Sequence, residues 1–202
     1  MKEFWNERYC QEEYAYGEEP NQYLKNKLET LPKGRILFVA EGEGRNAVFA
    51  ARLGWQVEAF DMSQEGQKKA FALAQKNNVS IHYQVLSAED ASYENESFDA
   101  IVFIFAHFPT LVKTAYHQKI SQYLKKGGWV ILEAFSKNHL AFQDKNPQVG
   151  GPKDIGMLAS IEEIQSFFPD YEILELSEEE VYLEEGTCHV GEGSVVRFFG
   201  RK

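Results

Sequence analysis

Short apolar runs rich in β-branched and aromatic residues alternate along the chain with segments whose apolar positions recur at helical spacing. The runs predict buried strands at Ile36 to Ala40, Val57 to Phe60, Ile81 to Leu86, Ala100 to Phe105, Trp129 to Phe135, Tyr171 to Leu176 and Val195 to Gly200. Between them, helices are expected at Asn46 to Leu53, closed by Gly54, and at Gln64 to Gln75, opened by Ser63 as N-cap. A third runs from Pro109 to Lys125 and ends at Gly127-Gly128. A fourth follows Ser160-Ile161-Glu162-Glu163, a capping-box pattern, and stops before Pro169. This alternation specifies an α/β fold with a largely parallel sheet. Two segments escape it. One is the aromatic stretch from Trp5 to Tyr23; the other, Ser136 to Ala159, lacks periodicity and reads as a long loop.

In a parallel sheet the strand-to-helix loops emerge at the carboxyl edge, where ligands bind. The first strand runs straight into Glu41-Gly42-Glu43-Gly44-Arg45-Asn46-Ala47 and then a helix, the pattern G-x-G-x-x-A. Glycines allow a tight turn and close backbone approach, and the helix N-terminus offers free N–H groups. An acidic residue, Asp61, ends the second strand 19 positions after Gly42, where a carboxylate accepts from ribose hydroxyls. NAD, FAD and S-adenosylmethionine all fit so far. Charge separates them. A dinucleotide would bring its pyrophosphate against Glu41 and Glu43, whereas the sulfonium and ammonium of S-adenosylmethionine suit an acidic loop.

Composition narrows the partners. The chain has 202 residues, enough for one domain with a sizeable core. Its 21 basic and 31 acidic residues give a net charge of −10 with no basic run, which disfavours nucleic acid as a partner. No apolar run approaches the ~18 residues that cross a bilayer, and the start lacks a signal-peptide pattern. Cys10 and Cys188 form no metal or disulfide motif, so no metal site is expected and a reduced, cytoplasmic setting is. The expected partner is a small-molecule substrate.

Taken together, these residues resemble the class I S-adenosylmethionine-dependent methyltransferases over nearly the whole chain. The loop EGEGRNA looks like the first family motif, and Asp61 matches the ribose ligand. Ser87-Ala88-Glu89-Asp90 stands where the family contacts adenine. Phe98-Asp99-Ala100-Ile101-Val102 resembles the fourth-strand motif, and Leu124-Lys125-Lys126-Gly127-Gly128-Trp129 the turn before the fifth strand. Phe4-Trp5-Asn6-Glu7-Arg8-Tyr9, Tyr16-Gly17, Pro20-Asn21 and the G-R-N of the loop are similar to the tellurite-resistance and thiopurine S-methyltransferase-like branch, which acts on small, often soft, nucleophiles. The sequence departs from the usual glycine loop in carrying Glu43 between the glycines and Ala40 before Glu41. The resemblance implies a Rossmann-like, seven-stranded, mostly parallel sheet with helices on both faces and an antiparallel last strand, Val195 to Gly200. The loop Glu184 to Ser194 would return to the ligand edge. It also implies a helical lid over residues 1–31 and a methyltransferase domain over 32–202. The implied cofactor contacts are Tyr16, Glu41, Gly42, Gly44, Arg45, Asn46, Asp61, Met62, Ala88, Glu89 and Phe105.

Methyl transfer from a sulfonium needs an aligned nucleophile and excluded water, and needs a base only if the nucleophile arrives protonated. His107, directly after the fourth strand, and His189, in Glu185-Gly186-Thr187-Cys188-His189, are the catalytic candidates. Lys137 and His139 read as a solvated loop, and His82 and His117 as structural. Tyr14 and Tyr16 are expected in the lid and Trp5 in the core. Two rival functions remain in play: a nicotinamide-dependent oxidoreductase and a non-catalytic S-adenosylmethionine-binding protein.

Overall fold

A computed structural model describes residues 1–202. In chain order the elements are α1 (Lys2–Tyr9), α2 (Gln22–Leu28), β1 (Arg35–Val39), α3 (Arg45–Arg52), β2 (Gln56–Asp61), α4 (Gln64–Lys76), β3 (His82–Val85), β4 (Phe98–Ile104), α5 (Thr110–Ser121), β5 (Leu124–Phe135), α6 (Leu140–Lys145), α7 (Ile161–Phe167), β6 (Glu172–Glu185) and β7 (His189–Arg201). All seven strands form one sheet in the order β3-β2-β1-β4-β5-β7-β6. β1 to β5 pair in parallel, while β7 runs antiparallel to both β5 and β6. This is the expected Rossmann-like arrangement, with β7 as the antiparallel strand.

Central strands buried on both faces explain the unbroken apolar runs. Ile36 and Phe38 of β1 pack with Leu24 and Leu28 of α2 and Ala47 and Ala50 of α3. Leu37 and Val39, pointing the other way, join Ile101, Phe103, Leu132 and Phe198 above α5 and α7. Leu24 and Leu28 are fully buried, so α2 belongs to the body of the domain. Ser63 caps α4 by accepting from Gly66 N at 3.1 Å, and the Ser160–Glu163 capping box closes in both directions. Gly54 ends α3 with φ +93°.

Three expectations are corrected. Gly127-Gly128 does not stop a helix: α5 ends at Ser121, and β5 begins at Leu124 and carries an irregularity in its register with β4. Residues 136–159 are not an extended loop but a chain of short helical turns around α6. The segment Glu184 to Ser194 is mostly strand, because β6 and β7 continue as a long hairpin to the turn at Gly186-Thr187-Cys188.

Candidate active site

The sheet order reverses between β1 and β4, so the loops after them diverge and leave a crevice at the carboxyl edge. A cleft lies there, with an empty volume of about 1540 Å³ including its open mouth. Ala40 after β1 and Phe105 after β4 both line it and both hold left-handed backbone, φ +53° and +51°. Such conformations cost about 1–3 kcal/mol outside glycine and concentrate at functional sites.

One wall is acidic. Glu41 and Asp61 line the cleft. Asp61 accepts from Gly42 N at 3.2 Å and Ser63 N at 2.8 Å, and Glu41 accepts from Ala47 N at 2.7 Å. Burial nevertheless pushes Asp61 up to about 6 and Glu41 up to about 8. Both carboxylates thus sit in a place that disfavours anions. Arg45 and Asn46 complete this wall, with Met62, Ala88 and Tyr16 nearby. Arg45 is already engaged: its guanidinium meets Glu185 at 2.9 Å and donates to Tyr16 O at 3.1 Å.

The opposite wall is aromatic and carries the two histidines. His107 Nδ1 lies 3.2 Å from Met157 O; a carbonyl can only accept, so the proton is on Nδ1. Its buried Nε2 has no partner. Burial lowers His107 to about 4, leaving it a neutral base with an unused lone pair. His189 Nδ1 meets Glu185 at 2.9 Å, and its ring packs on Tyr16 at 4.5 Å between centroids. Phe105 and Phe135 stand between the imidazoles: Phe135 stacks on His107 at 5.6 Å and meets His189 edge-on at 5.1 Å.

Several candidates fall elsewhere. Glu89 is exposed, and only its carbonyl is used, by Lys119. Gly42 and Gly44 lie behind the wall. A Cβ on Gly42 would strike the Tyr9 hydroxyl at 2.6 Å, and one on Gly44 would strike Ala70 at 2.5 Å. They shape the loop by close packing rather than by touching the cleft. Glu43 turns away, pairing with Lys69 at 2.8 Å and accepting from Ala15 N at 2.8 Å, so of the two loop acids only Glu41 lines the cleft. Trp5 is not core: it lines the cleft and stacks on Tyr9. Tyr14 leaves the cleft and donates to Lys69 O at 3.1 Å. His139 is fully buried with both ring nitrogens engaged, by Gly150 O at 3.0 Å and Ser194 N at 3.2 Å. Lys137 pairs with Glu163 at 3.0 Å. His117 is structural, stacked on Phe167, whereas His82 is exposed beside Glu58. Sequence reasoning does not reach Arg8, Phe135, Met157 or Glu185. Of these, Arg8 stands within the FWNERY segment and Glu185 four residues before a histidine candidate, signals of position but not of contact.

No helix is long and apolar enough to cross a membrane, and no three His, Cys, Asp or Glu side chains cluster as a metal site. The strand order and the cleft give a Rossmann-like α/β fold with its crevice at the β1–β4 switch point, a fold shared with solved methyltransferases. Residues 36–128 match the family model described as a methyltransferase domain. Over 124 residues the chain is 33% identical to the ubiquinone biosynthesis O-methyltransferase of Xanthomonas euvesicatoria pv. vesicatoria, covering 60% of this chain and 51% of the relative. The chain thus spans about half the length of the curated relatives it matches. Among solved structures, TehB from Haemophilus influenzae superposes with a TM-score of 0.73 at 16% identity, over 100% of this chain and 66% of that one. A SAM-dependent methyltransferase from Methanosarcina mazei gives 0.70 at 20% identity, over 91% and 98%.

Proposed function

We propose that this protein is an S-adenosylmethionine-dependent methyltransferase acting on a small-molecule acceptor. The observation that carries the reading is the pair of buried carboxylates, Asp61 and Glu41, on the wall of the switch-point cleft. Burial raises both carboxyls, a cost that a bound cation would offset, and the guanidinium on that wall, Arg45, is taken by Glu185. A pyrophosphate would find no welcome there, which sets the nicotinamide reading aside. Asp61 keeps lone pairs for ribose hydroxyls beyond its two backbone donors, Met62 and Ala88 flank the adenine end, and Glu41 faces the charged end.

When bound, S-adenosylmethionine supplies an activated methyl whose C–S bonding pair is left on sulfur. The chain's own residues do the rest. Phe105, Phe135 and Trp5 exclude water and hold an apolar acceptor body, while His107 and His189 orient the reacting heteroatom or take its proton on Nε2. Residues 1–23, with Arg8 and Tyr16 on the cleft, act as a lid. Amide exchange there is expected to slow when S-adenosylhomocysteine is added, and unchanged exchange would mean static packing.

For the acceptor we favour soft S, Se or Te nucleophiles, on the likeness of the FWNERY segment and the G-R-N loop. A second reading, an oxygen nucleophile, is supported by the curated relatives, which are ubiquinone biosynthesis O-methyltransferases. Incubation with methyl-labelled cofactor and a panel of thiols, selenite, tellurite and catechols separates the two, and cofactor binding without label transfer to any of them would favour a non-catalytic role.

Two binding results test the cofactor wall. Asp61→Ala is expected to weaken S-adenosylhomocysteine about ten- to a hundredfold, the loss of bonds to a charged acceptor; unchanged affinity in calorimetry removes Asp61 from the site. Affinity for the cationic cofactor should also rise with pH from 6 to 8, because Glu41 must give up its proton to face a sulfonium. The uncharged sulfur of S-adenosylhomocysteine should show a shallower rise. Equal slopes would place the charge recognition elsewhere.

A further inference from the structure

We propose that Glu185 is a positioning residue for His189, and that it transmits the docked state of the N-terminal segment to that imidazole. The inference rests on the methyltransferase reading and goes beyond it, since it assigns a role to a residue outside the glycine loop and the strand-end acids.

Glu185 ends β6 and His189 opens β7, and the turn between them makes the two residues cross-strand partners. Three parts of the chain converge on the one carboxylate. His189 Nδ1 and the Arg45 guanidinium each lie 2.9 Å from Oε2, and Asn21 Nδ2 donates to Oε1 at 3.1 Å. Arg45 in turn holds the Tyr16 carbonyl, while Asn21 N donates to Asn46 Oδ1 at 2.9 Å. Thus the N-cap of α2, the helix after the glycine loop and the hairpin meet at Glu185, and Arg45 ties that meeting point to Tyr16 of the lid segment.

The chemistry follows from what a carboxylate can do. Burial pushes Glu185 up, but Arg45 and His189 outweigh it and hold the group at about 2, so it is an anion at any working pH. An anion only accepts, which fixes the His189 proton on Nδ1 and leaves the lone pair on Nε2, for which the protein supplies no partner. Burial draws His189 below its ordinary value and Glu185 opposes that, so the ring is neutral at pH 7 yet more basic than it would be alone. The other charged or titratable groups facing it are Arg45, Arg8, Tyr16, His107 and His139. Tyr16 packs against one side of the ring and Phe105 meets it edge-on at 4.8 Å. A plain hairpin-tip salt bridge needs only Arg45; it does not require a histidine lining the cleft as third partner.

When the Tyr16 segment is undocked, Arg45 loses its second anchor and the Tyr16 ring leaves His189, while Asn21, which caps α2 in the body of the domain, stays on Glu185. His189 is therefore held in its working orientation only under a closed lid. In the transfer itself, the acceptor's lone pair forms the bond to the methyl carbon, the C–S pair remains on sulfur, and the acceptor's proton, where it carries one, passes to Nε2.

The test uses the full chain with histidine isotopically labelled, saturated with S-adenosylhomocysteine. In Glu185→Gln the titration midpoint of His189 is expected to fall, because the anion that favours the imidazolium is gone. Glu185→Asp, which keeps the charge, should restore it towards the wild-type value. Turnover of whichever panel acceptor is methylated should drop about ten- to a hundredfold in Glu185→Gln, with KM for the cofactor within about threefold. The same substitution made on His189→Gln should add little, since the two act as a unit. An unchanged His189 midpoint in a Glu185→Gln protein that still binds S-adenosylhomocysteine overturns the proposal. So does full additivity with His189→Gln. If wild type itself fails to bind S-adenosylhomocysteine, the methyltransferase reading falls; the midpoint, measured without ligand, still decides whether Glu185 controls His189.

Discussion

Replacing His107 with glutamine is expected to lower turnover of a protonated acceptor by ~10²–10⁴-fold, the range of a lost general base. Affinity for S-adenosylhomocysteine should stay within about threefold, under ~0.7 kcal/mol, because Asp61 and Glu41 lie on the other wall. The basis is a single unmatched atom. Nδ1 is tied to Met157 O, so Nε2 has its lone pair free, buried and without a partner. With the group held at about 4, the wild-type enzyme carries this base unprotonated throughout pH 6 to 9, and the loss should be nearly independent of pH there. If the acceptor is already an anion, the loss shrinks to that of positioning alone. Stability provides a second check with a definite sign. A histidine whose folded value lies below its unfolded value of about 6.5 contributes stability above that pH, and loses it as pH falls towards 4. The variant should therefore lose less stability than wild type between pH 7 and 5. Full activity in both His107→Gln and His189→Gln would make the two rings structural and move attention to Lys137 and its neighbours.

Gly44→Val is expected to destabilise the whole domain by about 2–5 kcal/mol, and to lose cofactor binding as a consequence. Two costs combine. Gly44 has φ +87°, where a side chain costs roughly 1–2 kcal/mol. Its Cβ would also lie 2.5 Å from Ala70 Cβ and 2.8 Å from Ala70 Cα, so α3 and α4 would have to separate, at about 1–3 kcal/mol for overpacking. Against a typical total of about 5–15 kcal/mol this is a large fraction. Gly54 supplies the control. It has the same handedness, φ +93°, but a Cβ there would meet nothing within 4 Å, so Gly54→Ala should cost only the backbone strain. Denaturant midpoints for the two variants that fail to differ would refute the packing argument.

The sheet is legible in the sequence because its central strands are buried on both faces and so read as continuous β-branched and aromatic runs. β6 reads short for the opposite reason. It is an edge strand, and Ser177-Glu178-Glu179-Glu180 looks like a solvated charge run although it pairs with β7 along its length. Charges on such an edge also discourage strand addition from another chain. At the site, residues carried by the loops after β1, β2 and β4 can be found by position alone. The aromatic wall cannot: Trp5, Phe135 and Met157 come together only through tertiary packing. Gly42 and Gly44 carry the right pattern for a different physical reason, close helix packing rather than contact with the cleft. The link from Glu185 to His189 shows in the sequence only as a four-residue spacing, because the turn that makes them cross-strand partners reads as part of a longer loop.

The hairpin tip has a consequence for the order in which the molecule is built. Thr187 N and Cys188 N both donate to Ala15 O, at 3.0 and 3.1 Å, and Gly186 packs against Gly17. These contacts join Ala15 to Gly17 with a hairpin tip far downstream in the sequence. A nascent chain can pair β1 with β2 and β4 and form the glycine loop early, yet it cannot seat Ala15 to Gly17 until β7 has been synthesised. Closing so long a loop is also entropically the slowest kind of step. Seating Ala15 to Gly17 and placing His189 on the cleft therefore depend on the same hairpin, whereas β1 to β5 can pair without it.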